Sequence, residues 1–327
     1  MEATRGTLAT AIIVMISSSG CFFEPFSVGD EGRVEYAYAD GLLGCLFGCS
    51  AEEPMAEGAH ALVSIVNTED LPPFTVSSDE PDVAVFTQDG VGSSHVHAEA
   101  LSPGTARIVV RDPTTGEVID RLPIRVHTVA RIEIDAQTED QPLTYLEETR
   151  FSIRPTAYDE EGEELVGVGG LTYEVSPVVD EYHRPSFFGL EQIGDAFAAI
   201  LVGHNQEVAE FETSGTGEGD LRITARSGAT LRVPIAVVSV EDVTRVELDT
   251  DSERDDDGRI RVDADAWAGD REISSPACSW SIDPASGPLH FDHTERDAAW
   301  LISDVEGGSA TVRCSIGSAD DTLVVTF

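Results

Sequence analysis

Apolar and polar residues alternate with a period of two along most of the chain. The pattern runs through Arg107–Arg111 (RIVVR), Arg121–Val126 (RLPIRV), Arg131–Asp135 (RIEID) and Asp220–Ala225 (DLRITA). It continues in Thr230–Ile235 (TLRVPI), Arg245–Asp249 (RVELD), Arg259–Asp263 (RIRVD) and Ala310–Cys314 (ATVRC). Successive side chains of a strand point to opposite faces, so each stretch predicts a half-buried strand, and no long stretch keeps a helical period. Turn residues separate the strands at short spacing: Pro103-Gly104, Pro113 to Gly116, Ser227-Gly228 and Gly307-Gly308. Many short alternating strands with Gly/Pro turns predict an all-β protein built of sandwiches.

The pattern also repeats. Pro103–Val110 (PGTARIVV), Glu218–Ala225 (EGDLRITA) and Gly307–Cys314 (GGSATVRC) are versions of one turn-plus-strand unit, each followed by a second strand, at Leu122–Val126, Leu231–Val238 and Thr322–Phe327. A spacing of roughly a hundred residues points to tandem sandwiches, since solenoid repeats are about 20–50 residues long.

These segments resemble bacterial immunoglobulin-like domains of the invasin/intimin type (group 2). Val129–Asp135 is similar to the family's opening strand, and Phe151–Gly162 to its alternating strand ending in a Tyr/Phe-Asp-x-x-Gly turn. Leu171–Ser176 stands at the family's x-Trp-x-Ser strand with Tyr173 in place of Trp, while Cys278–Ile282 keeps Trp280. Phe74–Val85 resembles the stretch in which Ser-Ser-Asp leads to Val-Ala. The resemblance implies tandem immunoglobulin-like β-sandwich domains, expected at 28–128, 129–240 and 241–327. Its motifs describe a fold rather than an activity.

The N-terminus departs from the alternation. Leu8–Ile16 (LATAIIVMI) is a short, nearly continuous apolar run, and Ser17-Ser18-Ser19-Gly20-Cys21 follows. A short apolar core followed by small residues is the build of a signal peptide, and it is too short for a span of about 20 residues. Ser18–Cys21 resembles the lipobox of bacterial lipoproteins, although Ser18 stands where Leu is usual and the only early cation is Arg5. The resemblance implies a cleaved segment 1–20, lipid on Cys21 and a linker over 21–27. Phe22 after the Cys favours the outer membrane by the sorting rule of enteric lipoproteins. Ordinary signal cleavage nearby, leaving Cys21 as a half-cystine, is the alternative.

Cysteine number bears on the same point. Five Cys are present, and an exported protein leaves few thiols unpaired. Removing an acylated Cys21 leaves Cys45, Cys49, Cys278 and Cys314, which allow three pairings. Proximity favours Cys45–Cys49 and Cys278–Cys314.

Composition narrows the partners. The net charge is −41, and all 20 basic residues are Arg. Nucleic acid needs clustered cations and is excluded, and anionic head groups are disfavoured. Such a charge also serves solubility without any site.

Candidate chemistry is sparse. Glu253, Asp255 and Asp257 ahead of Gly258 form alternate carboxylates that can wrap Ca²⁺, but Ala264 stands where an EF-hand places its Glu, and an acidic hairpin tip explains the run as well. The pairs His95/His97 and His290/His293 lack an evident third ligand. No Gly-x-Ser-x-Gly elbow, paired Cys–His nucleophile or phosphate loop is found, so an enzyme is not expected. The expectation is therefore a non-catalytic, lipid-anchored envelope protein acting as scaffold or adhesion module. The alternative is a carbohydrate-binding or enzyme-accessory module. The segments Val179–Phe188, with Tyr182 and Phe187, and Leu42–Pro54 are candidate binding loops, the partner being an unknown protein or glycan.

Overall fold

The computed structural model describes residues 27–38, 51, 53–66, 68, 71–134, 142–174, 179–183, 208–213, 215–250, 254–255, 258–283, 289–303 and 308–326. The described residues are mostly strands, with short 3₁₀ pieces such as Val240–Asp242. None of their helices is long and apolar enough to cross a membrane. The chain gathers into two compact units: residues up to 131 with 156–171, and residues 132–155 and 172–185 with those from 208 onward.

The first unit holds two sheets. One runs Ser27–Val28, Glu35–Tyr38, His60–Val66, His95–Ala100, Ala84–Gln88 in spatial order. The other runs Met55–Ala56, Val118–His127, Gly104–Arg111, Thr75–Ser78. All neighbours are antiparallel except Met55–Ala56, which lies parallel to Val126 and His127. The alternating positions point inward from both sheets into one core: Tyr36, Val63, Ile65, Phe86 and Val96 from the first, Ile108, Val110, Leu122 and Ile124 from the second. Burying an aliphatic side chain of this size stabilises by about 1.5–3 kcal/mol, which makes this shared core the main reason the two sheets close. The hairpin of Pro155–Tyr158 and Glu164–Leu165 continues into a segment that pairs with the sandwich. Ala56 N donates to Val166 O at 3.0 Å, and His60 and Val168 exchange two bonds at 2.8 Å. Gly167 has φ +112°, and a Cβ there would collide with Ala59, so only Gly allows this close approach.

The second unit contains two further sandwiches. In one, the sheet Leu143–Leu146, Thr230–Val238, Gly217–Ala225, Leu171–Glu174 faces the sheet Arg150–Ile153, Ala209–Thr213, Val179–His183. Its interior is aromatic: Tyr145 stacks on Phe151 at 3.9 Å, Phe151 on Phe211 at 5.5 Å, and Tyr173 meets Phe211 edge-on at 5.8 Å. Tyr173 thus fills the place at which the family resemblance puts a Trp. The last sandwich pairs Arg245–Asp249, Ile260–Ala268, Ala298–Ser303, Leu289–Thr294 with Ser279–Ile282, Ser309–Ile316, Ala319–Thr326. The 3₁₀ turn Val240–Asp242 precedes it, closed by a capping box in which Ser239 Oγ accepts from Glu241 N and Asp242 Oδ2 from Ser239 N.

Lettered A to G in chain order, the seven strands named for the last sandwich fall into an A-B-E-D sheet and a C-F-G sheet, the immunoglobulin arrangement, whereas in the preceding sandwich the first strand lies beside the last and leaves a B-E-D sheet opposite. In the first two sandwiches a short strand also lies parallel to the G strand: Met55–Ala56 in one, Leu143–Leu146 in the other.

Candidate functional site

The polar groups that the fold draws inward are clearest in the first unit. Strand Gly104–Arg111 and strand Val118–His127 pair regularly until a bulge, where Val110 faces Asp120 and Arg111 faces Val118. The bulge turns two consecutive residues, Ile119 and Asp120, into the interior. The Asp120 carboxylate accepts backbone N–H bonds from Val34 at 2.7 Å, Arg33 at 2.8 Å, Arg121 at 2.8 Å and Glu31 at 2.9 Å. Burial raises its pKa, and the N–H donors more than offset this, leaving it below the ordinary 3.8. Gly29 passes so close that a Cβ would collide with this carboxylate. Asp120 therefore organises the loop 29–34 and offers no lone pair to a substrate.

A second buried carboxylate sits in the Tyr158–Gly162 turn. Asp159 Oδ2 meets His127 Nδ1 at 2.7 Å, and Asp159 Oδ1 accepts Glu163 N at 2.8 Å. Burial raises its pKa too, but the His127 hydrogen bond and the Glu163 N–H hold it below the ordinary range. Arg125 grips both oxygens of Glu163, at 2.9 and 3.3 Å. His127, Asp159 and Glu163 bring one potential metal-ligating atom each within 4.8 Å of one another. Arg125 supplies the positive charge that a cation would bring, and each carboxylate oxygen has a donor. Chemically the group is a hydrogen-bonded brace between the hairpin 155–165 and strand Val118–His127.

The residues named from sequence fare differently. Cys278 and Cys314 form a disulfide with Cα atoms 5.4 Å apart. Trp280, not Cys278, lies directly opposite Cys314 in the ladder. The bridge therefore ties neighbouring strands of one sheet, whereas the antibody bridge spans two sheets. Trp280 packs beside it and donates Nε1–H to Glu295 O at 3.1 Å. Both oxygens of Asp255 accept from Arg259, from N and from Nε, each at 2.8 Å. Its companions Glu253 and Asp257 lie outside the described residues, as do Cys21, Cys45, Cys49 and Phe187. Tyr182, expected in a loop, belongs to strand Val179–His183, which pairs antiparallel with Ala209–Thr213, so backbone pairing with a neighbouring strand overrides its loop-like composition. His97 is paired with Asp89 at 3.0 Å, and His293 stacks on Trp300 at 4.2 Å.

A cleft of about 480 Å³ in the second unit is lined by Tyr145, Arg150, Phe151, Ser152, Glu210 and Ser274. Tyr145 and Phe151 are buried against each other there, so the cleft offers a polar rim and no free aromatic face.

No family model and no curated protein matches the chain. Among solved structures it is similar to domains 4–9 of the surface layer protein SbsC, with 12% identity over 90% of this chain and a TM-score of 0.32. It spans 47% of that SbsC chain, so about half its length. The Escherichia coli adhesin FdeC gives 12% identity, 93% coverage of this chain and 98% of its own, with a TM-score of 0.26. The D0-D1 domains of intimin give 13% identity over 61% of this chain and 98% of theirs, with a TM-score of 0.25.

Proposed function

We propose that the chain is a non-catalytic interaction module of the bacterial cell envelope, exported and tethered by lipid on Cys21. Three immunoglobulin-like sandwiches, over 28–128, 129–240 and 241–327, carry a binding surface away from the membrane. The Cys278–Cys314 bridge is the observation that carries this reading, because such bonds persist in oxidising compartments outside the cytoplasm. The buried carboxylates agree with it, since Asp120 and Asp159 are consumed in holding loops in place.

Feeding cells a radiolabelled fatty acid tests the anchor. Label on the wild type and none on Cys21→Ser, with the variant released from the membrane fraction, is the expected result. An unlabelled wild type recovered with reduced Cys278 in the cytoplasm overturns the proposal.

A further inference from the structure

The same backbone joint occurs once in each unit, and the two differ in what holds them closed. In the first unit the residues after the hairpin of Pro155–Tyr158 and Glu164–Leu165 lie against Pro54–His60. In the second, the residues after the hairpin of Ile260–Ala268 and Arg271–Glu272 lie against Thr144–Arg150 of the preceding sandwich. The correspondence runs bond by bond. Ala130 N donates to Tyr158 O and Thr244 N to Trp267 O, both at 2.8 Å. Glu57 N donates to His127 O and Glu147 N to Val238 O, both at 2.9 Å. Val166 N donates to Pro54 O at 2.9 Å, and Ser274 N to Thr144 O at 2.7 Å. The next residues, Gly167 and Ser275, both have positive φ, as do Gly58 and Glu148 on the receiving side. Beyond that point the second joint is weaker. In the first, Ala56 N also donates to Val166 O, and Val168 exchanges two bonds with His60. In the second, Pro276 stands at the place of Val168 and has no N–H to give. No equivalent of the bond from Ala56 to Val166 is made among the described residues. Ser275, at φ +53°, bears strain that Gly167 avoids, and such strain persists only where the surroundings hold it.

We propose that the Cys278–Cys314 bridge is the latch of this second joint. Closed, it makes the last two sandwiches one body; opened by a dithiol reductant, it frees the last sandwich to move by itself. Strand pairing does not need the bridge, because Ser279–Ile282 already meets Ser309–Ile316 through four residue pairs and Cys278 lies just outside them. What the bridge fixes is the chain that enters this strand from the joint. Cys278 N donates to Arg296 O at 2.8 Å. The Arg296 guanidinium in turn donates to Arg150 O, the counterpart of the His60 O that Val168 meets in the first joint. Both half-cystines pack in one apolar cluster with Ile273 and with Leu146 of the preceding sandwich. Ser274 and Ser275 also line the cleft of about 480 Å³ with Tyr145 and Arg150, which leaves room for movement beside the joint. A further tie, Arg271 to Glu218 at 2.8 Å, is exposed and therefore weak. Opening is a two-electron exchange. A thiolate of the reductant attacks Cys278 Sγ, which is half-buried, whereas Cys314 is wholly buried. A mixed disulfide forms, and Cys314 leaves as a thiolate that takes up a proton. The second thiol of the reductant then displaces Cys278, which is protonated in turn, and the reductant departs as a disulfide. The inference goes beyond the interaction-module reading and takes from it only that the bridge is closed in the envelope.

The test follows the purified full chain before and after dithiothreitol by hydrogen exchange and by the decay of Trp anisotropy, which reads the last sandwich because every Trp lies in it. Reduction should lower the protection of the Ser274 amide about hundredfold and add a faster component to the Trp decay. Amides of Ser279–Ile282 and Ser309–Ile316 should stay protected. Cys278→Ala/Cys314→Ala, which leaves Cys45 and Cys49 untouched, should match the reduced chain without dithiothreitol, and its Val168 amide should keep full protection. Unchanged Ser274 protection or an unchanged Trp decay in either arm would overturn the proposal. So would loss of the two strands together with Ser274, which would make the bridge a tie within the sandwich, or loss of Val168 protection in the variant. Fatty-acid labelling of Cys21 is read separately, so failure here leaves the envelope reading standing.

Discussion

Aspartate does opposite things in two regions of this molecule. In the first unit, Asp120 is wholly buried and surrounded by four backbone N–H donors, and Asp159 is buried against His127. In the last sandwich, Asp263 and Asp265 sit toward solvent but face other carboxylates. The buried pair has pKa values lowered, because hydrogen-bond donors outweigh burial, whereas at Asp265 burial raises the pKa and the neighbouring carboxylates add to it. The inner carboxylates are therefore structural keystones, while of the outer ones Glu247 and Asp263 are held by Arg245 and Arg261 at the surface and Asp265 stands among them.

Experiments can break this contrast, beginning with the inner side. Asp120→Ala leaves the N–H groups of Glu31, Arg33, Val34 and Arg121 without their acceptor and should destabilise the first unit by about 5 kcal/mol. Hydrogen exchange would show loop 29–34 and strand Glu35–Tyr38 opening first. If protection there is unchanged, the carboxylate is not what holds the loop.

The last sandwich has a covalent tie alongside its repulsive face. Cys278→Ala/Cys314→Ala frees a loop with a sequence separation of 36 and should cost about 3 kcal/mol. All three Trp residues, Trp267, Trp280 and Trp300, lie in this sandwich, so their emission during denaturation reports on it alone. An unchanged midpoint would show that the bridge adds nothing to its stability.

Acid should act on the two regions with opposite sign. A depressed pKa means that stability from Asp120 and Asp159 is fully present above the ordinary value near 3.8 and is lost as pH falls through the lower folded value. A raised pKa means that the folded state binds a proton first at Asp265, so stability rises as pH drops through the folded value toward 3.8 and then levels off. Trp-detected melting should therefore rise on mild acidification, while exchange protection of loop 29–34 holds and then collapses in stronger acid. Parallel loss in both regions would remove the contrast. The smallest effect is Asp265→Asn, expected to stabilise by about 0.5 kcal/mol at neutral pH and to flatten the acid-induced rise in the Trp signal.

The strands themselves were legible, because a half-buried sheet imposes its period on the sequence. Arg245–Asp249 forms a strand over its whole alternating length, and Ala310–Cys314 falls within the slightly longer strand Ser309–Ile316. Pairing was less legible. Glu247 and Asp265 each read as ordinary outward residues, and only the register of two strands brings them face to face. Asp120 was hidden for a different reason. It keeps the phase of the buried Leu122, Ile124 and Val126, so alternation sends it inward, but the N–H groups of Glu31, Arg33 and Val34 that make a carboxylate tolerable there lie 86 to 89 residues away. Asp159 lies in a turn motif that was visible, yet its partner His127 is 32 residues away and no local pattern connects them. The parallel edge strands are two and four residues long, below the length at which alternation can be recognised.

Those edge strands have a mechanical consequence. Leu143–Leu146 runs parallel to Ile235–Val238, one near the start of its sandwich and the other at the end. Tension applied through the chain on both sides pulls two parallel neighbours in opposite directions along their length. Their hydrogen bonds are then strained together in shear rather than opened one after another like a zipper. The same sandwich that is ordinary in a test tube would resist being drawn out.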